Sequence, residues 1–136
     1  MANYHLFISH SWAHDDSYYR LVNLLKKQSN FHFKNFSVTK EDPIVSTQDD
    51  EALYTAIYNQ IRPSSVVLIL AGIYVSHSKW INQEIEIAKR EFHTPKPIIA
   101  IRPRGQNNIS KVVRQNADEL VYWNAESVVA AVRKWG

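Results

Sequence analysis

The chain has 136 residues, 45% of them apolar and 21% charged, with a formal net charge of +3 and no cysteine. That length suits one domain, residues 1–136, with a core of its own, and the composition excludes a disordered chain, a disulfide framework and a thiolate metal site. No apolar run is long enough for a membrane span and no stretch reads as a signal peptide, so the cytoplasm is the expected location, with no membrane partner.

The charge is modest and tilted. Residues 69–136 hold 10 Lys/Arg against 6 Asp/Glu, which reads as a solvated basic face rather than as a field that draws in an anionic ligand, with no nucleic acid as partner. No internal repeat or low-complexity tract interrupts the chain.

In chain order, Tyr4 to Ser9 has the composition of a strand buried on both faces, and Ser9-His10-Ser11-Trp12 leaves it. Asp15-Asp16-Ser17 supplies the capping and negative charge that start a helix with Tyr18, Leu21, Val22 and Leu25 inward. Phe31 to Val38 reads as a second strand, followed by the polar loop Thr39 to Pro43. Asp49-Asp50 begins the next helix, with Leu53, Ile57 and Ile61 on its apolar face and Pro63 closing it. Val66 to Leu70 is a third strand. After Gly72, Ser78 is the expected N-cap of a helix whose apolar face is Ile81, Ile85, Ala88 and Phe92. Pro97 to Ile101 is a fourth strand with the exit loop Arg102-Pro103-Arg104-Gly105. A short helix over residues 109–115, a last strand over residues 120–123 and a final helix capped by Asn124, with Val128, Val129 and Val132 inward, complete the chain.

Alternating strands and helices, with central strands apolar throughout, predict an α/β fold: a central parallel sheet of about five strands with helices on both faces. Right-handed crossovers make the flavodoxin-like order 2-1-3-4-5 the expected topology, with its ligand crevice at the carboxyl ends of the first and third strands. Ser9-His10 leaves the first of these strands, and Ala71-Gly72-Ile73-Tyr74 leaves the third.

The helix that follows carries Trp80 and Glu84, four residues apart and therefore stacked on one side. At about 100° per residue, Glu84 falls roughly 60° from the centre of the apolar face and Glu86 roughly 140° away. Glu86 is an ordinary solvated carboxylate. Glu84 is expected at the margin of the core, where partial desolvation raises a carboxyl pKa and strengthens its pull on nearby positive charge.

Several chemistries of this fold lack their residues. Neither a G-x-x-x-x-G-K-[ST] loop nor G-x-G-x-x-G occurs, and the chain has three glycines in all. A receiver domain needs acids at the ends of its first and third strands to hold a hard cation, where this chain has Ser9-His10 and Ala71-Gly72. The six histidines form no helical ligand pair, so no metal is expected. A lone carboxylate beside an aromatic ring suits cleavage of an N-riboside whose leaving group needs no general acid. Nicotinamide on ribose is such a group, and its oxocarbenium-like transition state is stabilised by one carboxylate.

Tyr4-His5-Leu6-Phe7-Ile8-Ser9-His10-Ser11 resembles the opening box of TIR domains, and Trp80-Ile81-Asn82-Gln83-Glu84 matches the W-x-x-x-E of enzymatic members, in which the glutamate is catalytic. The resemblance covers essentially the whole chain and is strongest to the stand-alone TIR-like proteins of Thoeris anti-phage defence in bacteria. It implies Glu84 as the catalytic carboxylate, Trp80 as its motif partner, and Phe7, Ser9 and His10 lining the nicotinamide-ribose side. It also implies NAD as substrate with no further cofactor, an ADP-ribose-derived and cyclic product, an effector protein that responds to that product, a phage-derived trigger and a homo-oligomer. Lys40 to Ser46 corresponds to the loop that gates the site and mediates assembly in TIR domains, with Ile44 where a glycine usually follows the proline.

Alternatives stand beside this reading. Glu84 can be a packing residue in a TIR adaptor that acts by self-association or partner binding, and a transferase acting on another N-riboside uses the same carboxylate logic. Ser9 can cap the strand end, and His10 can be a solvated loop residue. Trp12, Trp123 and Trp135 read as packing aromatics. Arg102 and Arg104 stand where a pyrophosphate would arrive, and Tyr74 sits on a second exit loop.

Overall fold

The computed structural model describes residues 3–9, 17–36, 50–71, 79–102 and 109–136, with the side chains of Ser17, Asp50, Lys79 and Trp80 outside that description. Among the described residues, five strands alternate with five helices: β1 (Asn3–Ile8), α1 (Ser17–Lys26), β2 (His32–Asn35), α2 (Asp50–Ile61), β3 (Val66–Leu70), α3 (Lys79–Arg90), β4 (Ile98–Ile101), α4 (Lys111–Asn116), β5 (Glu119–Val121) and α5 (Ala125–Trp135). All pairings are parallel, and the strands lie in the order β2-β1-β3-β4-β5. This is the expected topology.

The two central strands beyond β1 are buried along their whole length, as their unbroken Val, Ile, Leu and Ala composition requires. β1 departs from expectation. Only Leu6, Phe7 and Ile8 are buried, while Asn3 and His5 are exposed. The amino half of β1 is in register with β2, and β3 comes into register only from Leu6 onward, after Ser65 N has donated to His5 O at 2.7 Å. The outer strands are also shorter than their apolar runs suggested. Phe31 packs beside the sheet instead of pairing in it, and β5 begins at Glu119 and ends before Tyr122.

Register sorts side chains between the two faces, because neighbours in a parallel pair point the same way and alternate along each strand. Leu6 is level with Asn35 on one side and Val66 on the other. Asn35 Nδ2 donates to the Tyr18 hydroxyl of α1 at 2.8 Å, and Arg133 of α5 lies over the Phe31 ring at 5.9 Å. Leu6 and Ile8 therefore face the layer made by α1 and α5, which touch each other. Phe7 and Ser9 face the opposite layer. A right-handed crossover from β2 to β3 puts α2 there, and α2 packs directly on α3.

Helix ends follow local chemistry where they are described. Asn124 Oδ1 accepts from Ser127 N at 2.7 Å as the N-cap of α5, as expected. Ser110 caps α4. Asn30, after α1, holds φ at +58°, a conformation asparagine tolerates better than most residues, and its carbonyl accepts from Arg133 at 3.1 Å. The expected caps at Asp15, Asp16, Asp49 and Ser78 lie outside the described residues.

Candidate functional site

α3 is strongly amphipathic, but its buried face is wider than the Ile81, Ile85 and Ala88 stripe. Ile87 is also fully buried. Adding it stretches the buried arc to roughly 160° and moves its centre toward Glu84, which then lies about 20° from the middle. Glu84 accordingly has no exposed surface. The expectation of a margin position is corrected: Ile81, Ile85 and Ala88 join the core cluster and α2 packs on α3 as well, so a residue at the edge of that stripe is enclosed from a second side. Burying a carboxylate on an apolar face is unfavourable without polar company, and Glu84 does take part in a polar interaction.

The carboxyl edge of the sheet is knitted by main-chain bonds that run past the strand ends. Ser9 N donates to Leu68 O at 2.9 Å, Ala71 N to Ile101 O at 2.8 Å, and Arg102 N to Val121 O at 2.8 Å. Ser110 N then donates to Ala71 O at 2.9 Å, tying the start of α4 to the exit of β3. Ser9 and Ser110 are fully buried at this edge. The buried Ser64 lies at the other end of β3, where its hydroxyl donates to Ile61 O at 2.6 Å.

Of the residues expected at the site, Phe7 and Ser9 are on the same face of the sheet as α3, both without exposed surface, Phe7 level with Val67. Trp80 lies in the first turn of α3, four residues ahead of Glu84. Its side chain, His10, Trp12, Tyr74, Arg104 and the loop Lys40 to Ser46 lie outside the described residues. Arg102 is half-buried, with its guanidinium 5.4 Å from the Tyr122 ring centre. Trp123 and Trp135 are packing residues as expected, and Trp135 Nε1 also donates to Glu119 Oε1 at 2.8 Å.

Comparison with known families decides what kind of domain carries this arrangement. Residues 7–108, three quarters of the chain, match the family described as Thoeris protein ThsB, TIR-like domain. The chain belongs to that family. Membership ties this TIR-like domain to Thoeris defence. No curated protein matches it significantly. The match includes the last two residues of β1, the whole of α3 and the carboxyl ends of β3 and β4, so Phe7, Ser9, Trp80 and Glu84 all fall within the family's own segment.

α3 of the TIR-like domain is also anchored at its far end. Lys89 pairs with Asp118 Oδ2, and the same oxygen accepts from Ile98 N at 2.8 Å. One carboxylate thus links the last turn of α3 to the first residue of β4. Spacing gave no sign of it, because the partners are 29 and 20 residues apart. An open groove of about 230 Å³ runs along the outer side of α3 between Asn82, Glu86, Lys89 and Asn116, away from Glu84. Among the described residues, no group of three or more His, Cys, Asp or Glu is placed to hold a metal ion, and no helix is long and apolar enough to cross a membrane.

Proposed function

We propose that this TIR-like domain cleaves the nicotinamide–ribose bond of NAD, with Glu84 as the catalytic carboxylate. The bond between ribose C1′ and the pyridinium nitrogen breaks, and its electron pair stays on nitrogen, so nicotinamide leaves neutral without a general acid. The cationic ribose is stabilised by the Glu84 carboxylate until a nucleophile adds at C1′ and gives up its proton. Water as nucleophile yields ADP-ribose; a group within the ADP-ribose moiety yields a cyclic product, the signal to which an effector protein responds. Phe7, Ser9, His10 and Trp80 shape the nicotinamide-ribose side.

The observation that carries this reading is the burial of Glu84: a carboxylate without exposed surface on α3, the helix that lies on the side of the sheet to which Phe7 and Ser9 also point. Enclosure strengthens its field at a nearby cation well beyond what water allows. Because it has no exposed surface, a ribose meets it only in a conformation that uncovers it. Activity is therefore expected to depend on a trigger or on assembly, and the assay belongs both with purified protein and with lysate of infected cells.

The test is nicotinamide release from NAD by the wild type and by Glu84→Gln. The nearly isosteric amide keeps volume and removes charge, and turnover falls by about a hundredfold or more. Equal turnover by the two proteins rules out the catalytic role.

The same complete burial favours a second reading, in which Glu84 packs and orders α3 and the domain works as a non-enzymatic adaptor by self-association or partner binding. In that case Glu84→Gln changes stability, while neither protein releases nicotinamide under any triggering condition.

A further inference from the structure

Tyr122 is two-thirds exposed, the most exposed large apolar side chain among the described residues. It follows the end of β5, directly beside Arg102 at the end of β4. The two form a cross-strand pair: Ile101 is level with Val121, and Arg102 N continues the ladder by donating to Val121 O at 2.8 Å. That register stacks the guanidinium over the phenol ring at 5.4 Å. Arg102 is half-buried and tied by its main chain, so the cation is presented from a fixed base.

Alternation places this pair relative to Glu84. Phe7 is level with Val67, Val67 with Ile98, and Ala100 with Leu120. Phe7, Ile98, Ala100 and Leu120 therefore share one face of the sheet, and Arg102 and Tyr122 continue the same series. This is the face of α3 and Glu84, at the carboxyl edge where doubly wound sheets hold ligands. Strands stand about 4.8 Å apart, which sets β5 about 10 Å across the sheet from β3.

We propose that Arg102 and Tyr122 form the subsite for the adenosine-diphosphate half of the dinucleotide whose nicotinamide riboside lies toward Glu84. The inference rests on the NAD reading above and extends it to the distal half of the substrate. The exposed ring offers a stacking surface for the purine, and the guanidinium offers paired donors to a diphosphate oxygen pair. A solvated aromatic held under a fixed cation gains little for the fold by itself. At the ligand edge it recognises a flat base joined to an anion.

The experiment measures calorimetric binding of NAD, ADP-ribose and nicotinamide mononucleotide to Glu84→Gln protein, and to the same protein carrying Tyr122→Ala, Tyr122→Phe or Arg102→Gln. Tyr122→Ala is expected to weaken NAD and ADP-ribose about tenfold while leaving nicotinamide mononucleotide unchanged, and Tyr122→Phe to retain affinity. Arg102→Gln is expected to weaken the same two ligands and flatten their salt dependence. Unchanged ADP-ribose affinity in Tyr122→Ala and Arg102→Gln, an equal loss for all three ligands, or no ADP-ribose binding by the Glu84→Gln parent overturns the subsite. Nicotinamide release undiminished by Glu84→Gln would instead sink the catalytic reading, with the affinity split still deciding the subsite.

Discussion

Asp118 is the substitution that best separates what fixes α3 from what merely decorates it. Its Oδ2 accepts from Lys89 Nζ and from Ile98 N, and the Lys89 and Asp118 side chains keep 22% and 30% of their surface exposed. At that exposure the ion pair contributes about 0.5–1 kcal/mol. The bond to Ile98 N is worth more, since its loss leaves a part-buried amide at the start of β4 without an acceptor, a penalty of about 1–3 kcal/mol. Asp118→Ala should therefore destabilise by about 2–3 kcal/mol. Asp118→Asn keeps a carbonyl oxygen for Ile98 N and should lose about 1 kcal/mol, as should Lys89→Met. Urea denaturation with unchanged m-values reads these differences. The double mutant Lys89→Met/Asp118→Ala isolates the pair, with an expected coupling of about 0.5–1 kcal/mol. An Asn variant as unstable as the Ala variant, or a coupling of zero, refutes the division of labour between the two bonds. Because the link sets the lie of the helix that carries Glu84, Asp118→Ala should also lower any NAD turnover more than Asp118→Asn does.

Other perturbations follow from single features. Ile87→Ala opens a cavity on the side of α3 that widens its buried face, and should destabilise by about 2–4 kcal/mol in the same denaturation assay. Asn124→Ala removes the acceptor for Ser127 N and should cost about 1 kcal/mol, whereas Asn124→Asp should be nearly neutral. The Tyr54 phenol is pushed up to about 12, first by burial and then by its hydrogen bond to Glu91. The native state thus keeps this proton when the unfolded chain, with its ordinary value of 10.0, has released it. The resulting stabilisation is complete below pH 10 and is lost as pH rises toward 12. Tyr54→Phe should flatten that alkaline decline, and an unchanged pH profile counts against the assignment.

The alternation of strands and helices and the cap at Asn124 were legible in the sequence, because each depends on neighbours within one or two turns of the chain, and the strand order followed from that alternation through the handedness of crossovers. The family resemblance was legible for the same reason: both motifs lie within single elements and their exits. Glu84 was found by spacing, but its degree of burial was not. A helical wheel assigns one apolar face, whereas α3 also packs on α2, and its buried arc, widened by Ile87, takes in Glu84.

The shortened ends of the sheet teach the same lesson. Asn3 and His5 are in a strand yet exposed, because strand side chains stand out from the sheet and are buried only where a helix layer covers that face at that height. The link through Asp118 and the stacking of Arg102 on Tyr122 join residues about 20 positions apart or more, so no local pattern records them. Local periodicity determined which residues belong to each element and which way each element begins. Tertiary structure decided which polar groups are enclosed and which side chains stand level across the sheet, since both depend on register and layer contacts between segments distant in the chain.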